Sequence, residues 1–278
     1  MNAPSPRAEP ELHFEAHGSG EPILLIPGYG ATLYSWRYLA PALARTHRVI
    51  LLDLKGFGMS PKPDDGKYSI HDHARRVADF LRDRDLSGVT LIGHSFGGGI
   101  ALLLALRLRG DAKYAPKRLV LIDNVAYRQR LPLFVRMMQS PLGPLVLRAV
   151  PATSLIRHVL EQAYLDDAKI PPESITEYAK PLDTPGAREA MVATAKGMIP
   201  PDIEDLAERY RGIDIPALIL WGRQDAIVPL SIGERLHRAI PDSKLVIVER
   251  CGHIPHEECP DEAIPAVVEF MGSTGAHL

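Results

Sequence analysis

Short apolar runs punctuate the chain, separated by stretches whose apolar residues recur at helical spacing. The runs are Leu12-Phe14, Ile23-Ile26, Val49-Leu52, Val89-Ile92, Leu119-Ile122, Ala217-Leu220 and Leu245-Val248. Runs of this length at helix-length intervals predict the strands of a mainly parallel sheet. Gly18-Ser19-Gly20 lies between the first two runs, which are expected to form an antiparallel hairpin opening the sheet. Ahead of the fourth run, Ser69 and Asp72 have the spacing of a helix cap, and Ile70, Ala74, Val77 and Leu81 share one helical face. The stretch Ile100 to Leu108 predicts another helix, apolar on nearly every side.

That rhythm breaks between about Val125 and Tyr210, a strandless stretch too long for an ordinary connection. It holds amphipathic segments with prolines between them: Leu133-Met138, Leu145-Val150, Leu155-Tyr164, Ser174-Lys180 and Arg188-Met198. The expected organisation is an α/β core of residues 11–124 and 211–273, a helical cap of residues 125–210 over the strand ends, and a flexible leader of residues 1–10.

Composition narrows the class. A chain of 278 residues can bury a full core, and its net charge of −2 offers no nucleic-acid footprint and no polybasic membrane patch. No apolar run approaches the roughly 18 residues needed to span a bilayer, and the first ten residues lack the apolar stretch of a signal peptide. Cys251 and Cys259 are too few for a disulfide framework and are expected to be reduced thiols. The expectation is a cytoplasmic protein with no cofactor, no nucleic-acid partner and no membrane partner.

The candidate chemistry centres on Ser95, in Gly93-His94-Ser95-Phe96-Gly97 between a predicted strand and a predicted helix. The turn joining them must be sharp, and flanking glycines relieve the crowding. A serine there stands clear of its own backbone beside a helix N-terminus, where negative charge is stabilised. The competing reading is a turn that only packs or cradles a phosphate.

A serine hydroxyl needs a base, usually a histidine oriented by a buried carboxylate. Asp225 follows the run Ala217-Leu220, and His253 follows Leu245-Val248, so both fall at the C-terminal edge of a parallel sheet. Asp123 is an alternative acid and His256 an alternative base. His94 is expected to pack or bond near the turn. His71 and His73, two apart on a helix, face different ways and make a poor ligand pair, and no metal site is read. Lys55-Gly56-Phe57-Gly58-Met59-Ser60 lacks a phosphate-loop pattern and reads as a tight loop.

From Leu12 to Met271 the chain resembles the α/β-hydrolase superfamily, closest in pattern to its lidded esterases, non-haem haloperoxidases and carbon–carbon-bond hydrolases. The resemblance rests on Pro27-Gly28-Tyr29-Gly30, the Asp53-to-Ser60 loop, the Gly93-to-Gly97 turn, Gly222…Asp225…Pro229, and Gly252-His253-Ile254-Pro255 with Glu258 and Pro260. It implies an α/β-hydrolase fold, a mostly parallel sheet flanked by helices with a helical cap. It also implies a catalytic triad of Ser95, Asp225 and His253, and an oxyanion hole built from the backbone N–H groups of Tyr29 and Phe96. Relatives usually carry His-Gly where this chain has Pro27-Gly28, which puts the supporting hydrogen bonds of that histidine in doubt but not the backbone donors.

Serine at the turn argues against the haloalkane dehalogenase and epoxide hydrolase chemistry of the superfamily, which uses a carboxylate there. The expected substrate is a small-molecule carboxylic ester of a small to medium uncharged acyl group. Phe134, Met137, Met138 and Leu145 are expected to line its pocket. Two alternatives stand beside it: a carbon–carbon-bond hydrolase of vinylogous diketones or a perhydrolase with the same triad, and a non-catalytic small-molecule receptor. Cleaving the diketones would call for polar groups that bind a carboxylate or dienol, for which Arg128, Arg130 and Arg136 are candidates.

Overall fold

The computed structural model describes residues 10–272. Of the expected leader, residues 1–9 lie outside the described residues, as do residues 273–278. Strands β1 (Phe14–His17), β2 (Pro22–Ile26), β3 (Arg48–Leu52), β4 (Thr90–His94), β5 (Arg118–Ile122), β6 (Ala217–Gly222) and β7 (Ser243–Val248) form one sheet in the order β1-β3-β2-β4-β5-β6-β7. Every neighbouring pair is parallel except β1 with β3. This is an α/β-hydrolase fold.

The opening hairpin is not formed. β1 lies against β3, with Phe14 opposite Leu52. Both edges of β2 are already taken, by β3 and β4. The glycines after β1 serve a close backbone approach instead: Gly18 has φ of 72°, and a Cβ there would strike the carbonyls of Ala44 and His47.

Strands β2 to β6 are apolar at every central position because both faces are covered. Leu24, Ile26, Leu91, Leu119, Leu121 and Ile219 face one core, while Ile23, Leu25, Ile92, Val120, Ile122 and Leu218 face the other. This two-residue alternation divides the helices too. On the second face lie α1 (Leu39–Leu43), through Leu39 and Leu43, and α12 (Pro260–Gly272), through Ala263, Val267 and Met271. On the first lie α2 (Ile70–Asp83), α3 (Phe96–Arg107) and α10 (Leu230–Ala239). Ser69 and Asp72 close both bonds of a capping box at the start of α2.

Between β5 and β6 the described chain contains no strand. It runs through α4 (Leu133–Gln139), α5 (Gly143–Ala149), α6 (Ala152–Ala163), α7 (Pro172–Ala179), α8 (Ala187–Lys196) and α9 (Ile203–Arg209). The last of these was not anticipated from the sequence. Polar ties fasten this layer to the core: Tyr29 Oη donates to the Met191 carbonyl (2.8 Å), and Ile70 N to the Gly197 carbonyl (3.0 Å).

Where β4 turns into α3, Ser95 has φ of 52° and ψ of −117°, a conformation costly for any residue with a side chain. The turn closes because the glycines two positions to either side, Gly93 and Gly97, have none. A Cβ on Gly93 would lie 2.5 Å from the Gly97 carbonyl oxygen, and one on Gly97 would collide with the carbonyls of Ile26 and Pro27. Gly97→Ala is therefore expected to lower stability by about 3 kcal/mol. Urea unfolding checks this; a variant within about 0.5 kcal/mol of the parent would contradict the packing described.

Candidate active site

The sheet brings three distant side chains to one rim. β4 delivers Ser95, whose N–H donates to the Ile122 carbonyl at 2.9 Å and whose own carbonyl accepts from Gly98, Gly99 and Val125. The loop after β6 delivers Asp225, and the loop after β7 delivers His253. Register between β6 and β7, with Gly222 opposite Val248, sets those two loops side by side. They are stitched together by Gln224 N to the Cys251 carbonyl (3.0 Å) and Cys251 N to Gln224 Oε1 (3.1 Å).

His253 Nδ1 lies 2.7 Å from Asp225 Oδ2, and His253 Nε2 lies 2.9 Å from Ser95 Oγ. An ionised carboxylate only accepts, so Nδ1 carries the proton and Nε2 is left to accept from the serine hydroxyl. Asp225 Oδ1 takes the N–H groups of Ile227 (2.7 Å) and Val228 (2.9 Å). Burial opposes the charge on Asp225, but the His253 imidazole and these donors hold its carboxyl below the ordinary range.

The neighbouring histidines diverge from that chain. His94 Nε2 donates to the His253 carbonyl at 2.9 Å, and the two rings sit 4.9 Å apart. Burial, then the His253 charge, pushes His94 down to about 3, so it supports the His253 loop as a neutral ring. His256 lies against Trp36 and meets Ser35 Oγ at 3.0 Å. His71 reaches Asp202 (2.7 Å) and His73 reaches Thr194 (3.3 Å), on separate sides of α2. Asp123 is buried beside Asp225, but the bond from His253 goes to Asp225. Cys251 and Cys259 are free, and the Glu258 carboxylate near them is occupied by the N–H groups of Gly252, Leu165 and Asp166.

Above Ser95, about 980 Å³ of space separates the helical layer from the sheet, part of it open to solvent. Tyr29 and Phe96 both line it beside Ser95 and His253. Among the described residues, neither backbone N–H has an acceptor. Of the four cap residues expected at the pocket, Phe134 lines it. Met137 and Leu145 face solvent, at 38% and 68% exposure, and Met138 is buried against the Tyr29 hydroxyl instead. The walls come instead from one face of α6, namely Leu155, Ile156, Val159 and Leu160, whose helical spacing was visible in the sequence.

One side of the cavity is polar. Glu257, 5% exposed, accepts from Ser35 Oγ (3.0 Å), Tyr178 Oη (2.6 Å) and Arg37 (2.5 Å). Among the described residues Glu257 is the only ionisable carboxylate lining the space, and no lysine or arginine lines it. The sequence offered no signal for this pair, whose members lie 220 positions apart.

Residues 21–260 match the family model described as alpha/beta hydrolase fold. The chain belongs to the α/β-hydrolase fold family. It is similar to a 2-hydroxymuconate semialdehyde hydrolase of Pseudomonas putida, at 30% identity covering 99% of both chains. A solved meta-cleavage product hydrolase of Pseudomonas fluorescens IP01 matches with a TM-score of 0.79 at 26% identity, covering 94% of this chain and 93% of that one. A thermophilic esterase of Thermogutta terrifontis matches with a TM-score of 0.79 at 28% identity, covering 94% and 92%. This α/β-hydrolase is accordingly a hydrolytic enzyme. Among its described residues no helix is long and apolar enough to cross a membrane.

The Arg37–Glu257 pair generates a prediction for this α/β-hydrolase. Arg37→Met leaves a buried carboxylate without its cation and is expected to cost about 3–5 kcal/mol of stability in urea unfolding. A cost under about 1 kcal/mol would mean that the pair does not hold this wall.

Proposed function

We propose that this α/β-hydrolase is a serine esterase cleaving carboxylic esters of small to medium uncharged acyl groups through an acyl-enzyme. Ser95 Oγ attacks the ester carbonyl carbon while His253 Nε2 takes its proton, and Asp225 steadies the imidazolium. The oxyanion is held by the N–H groups of Tyr29 and Phe96. His253 then passes its proton to the departing alcohol. Water attacks the acyl-enzyme with His253 again as base, and the acid leaves. The layer over residues 125–210 acts as the cap that shapes the acyl site and keeps bulk water from it.

The observation that carries this reading is the lining of the cavity: apolar around Ser95, with no cation among its walls. An uncharged acyl chain is stabilised there by burial, whereas a carboxylate would lose its hydration with no positive partner and would face Glu257. The alternative is carbon–carbon-bond hydrolysis, favoured by what several relatives are named for, including a 2-hydroxy-6-oxo-2,4-heptadienoate hydrolase of Pseudomonas putida at 29% identity. The residues that would bind such an acid weigh against it. Arg128, Arg130 and Arg136 are all exposed, and Arg128 is paired with Glu204 at 2.7 Å.

Ser95→Ala is expected to lower kcat/KM for p-nitrophenyl butyrate by about 10⁴-fold or more, and a rate near the parent's would end the proposal. Across p-nitrophenyl esters the optimum is expected at short to medium chains. The enzyme should prefer these to a 2-hydroxy-6-oxo-dienoate by at least ~10²-fold. The opposite order would establish the carbon–carbon hydrolase reading in its place.

A further inference from the structure

Asp123 directly follows β5 and is fully buried, with φ of 43°. The liganding atoms of Asp123, Asp225 and His253 all lie within 4.8 Å of one another. Asp123 Oδ1 accepts the Gly222 N–H at 3.0 Å, and Oδ2 has no donor among the described residues. The ionisable groups acting on the two aspartates are His253 and Cys251 after β7, Glu258 of α11 (Pro255–Glu258) and His94 on β4. No lysine or arginine is among them. Two carboxylates this close in a dry site cannot both be ionised. Asp225, with three N–H donors against one for Asp123, is the better place for the charge.

We propose that Asp123 is a positioning residue. Its Oδ2 carries a proton at neutral pH, donates it to the Asp225 carboxylate, and so limits how tightly Asp225 holds a proton on His253. Burial, then the charge of Asp225, moves the Asp123 carboxyl well above the ordinary range, in agreement with this arrangement. A carboxylate that shares its charge with one more donor is a weaker partner for an imidazolium. The imidazole is therefore left available as a base. This role rests on the reading of His253 as the base, but the protonation of Asp123 does not.

The two parts are tested separately. A carboxyl that is neutral when folded and ionised when unfolded stabilises fully below its unfolded value, and that contribution is lost as pH rises toward the folded value. Urea unfolding of wild type and Asp123→Asn is measured from about pH 5 to pH 8. The unfolding constant of the wild type is expected to rise relative to that of the variant by up to about tenfold per pH unit. A ratio that stays flat means an ionised Asp123 and overturns the proposal, whatever the enzyme hydrolyses.

The positioning role is read from pH profiles of kcat/KM for p-nitrophenyl butyrate. Asp123→Asn keeps a donor on Asp225 and should leave the acid limb within about 0.3 units of wild type. Asp123→Leu, with Asp123→Ala beside it should one fail to fold, removes the donor and should move the limb up by about one unit. Coincident limbs in all variants overturn the role. A wild type that does not cleave the ester sinks the esterase reading instead, and the urea comparison still decides the proton.

Discussion

The 2.7 Å contact between His253 Nδ1 and Asp225 Oδ2 decides what the rim of this sheet can do. It assigns the ring proton to one nitrogen and turns the other toward Ser95 Oγ. Asp225 is held by two N–H groups in the turn that follows it, and the His253 loop by His94 beneath it and by the Ala163 carbonyl above. Parallel pairing of β6 with β7 then supplies the register that brings the two loops together. A shift of one residue between those strands would separate acid from imidazole without altering either loop.

The helical layer and the rim are parts of one arrangement. His253 N donates to the carbonyl of Ala163, the last residue of α6, and the same helix presents Leu155, Ile156, Val159 and Leu160 to the cavity. The helix that forms an apolar wall therefore also anchors the imidazole loop. On the opposite side Tyr29 places its backbone at the cavity and its hydroxyl on the Met191 carbonyl of α8. Charge is kept to one wall, where Arg37 and Glu257 neutralise each other. Ser95 is left with apolar surroundings and a single polar chain leading away through His253.

Much of this was legible in the residues because it is encoded locally. Strand positions follow from apolar runs, the start of α2 from Ser69 and Asp72, and the Ser95 turn from glycines whose absent side chains make room for carbonyls. The order of Ser95, Asp225 and His253 along the chain narrowed the candidates. What escaped is set by tertiary packing. The partner of β1 depends on which edges the later strands leave open. Leu133 and Phe134 are adjacent and similarly apolar, yet one is 72% exposed and the other 8%, because the docking of a seven-residue helix chooses its inner face. The Glu257 wall needed Ser35 and Arg37 from one distant segment and Tyr178 from another, and no local pattern announces such a meeting.

The most direct measurement of the central claim is covalent trapping: incubation with a fluorophosphonate, digestion, and mass spectrometry of the modified peptide. If His253 and Asp225 make Ser95 nucleophilic, one adduct forms, it maps to Ser95, and its rate of formation collapses in His253→Ala. An unmodified protein, an adduct on another residue, or an undiminished rate without the imidazole would contradict the account.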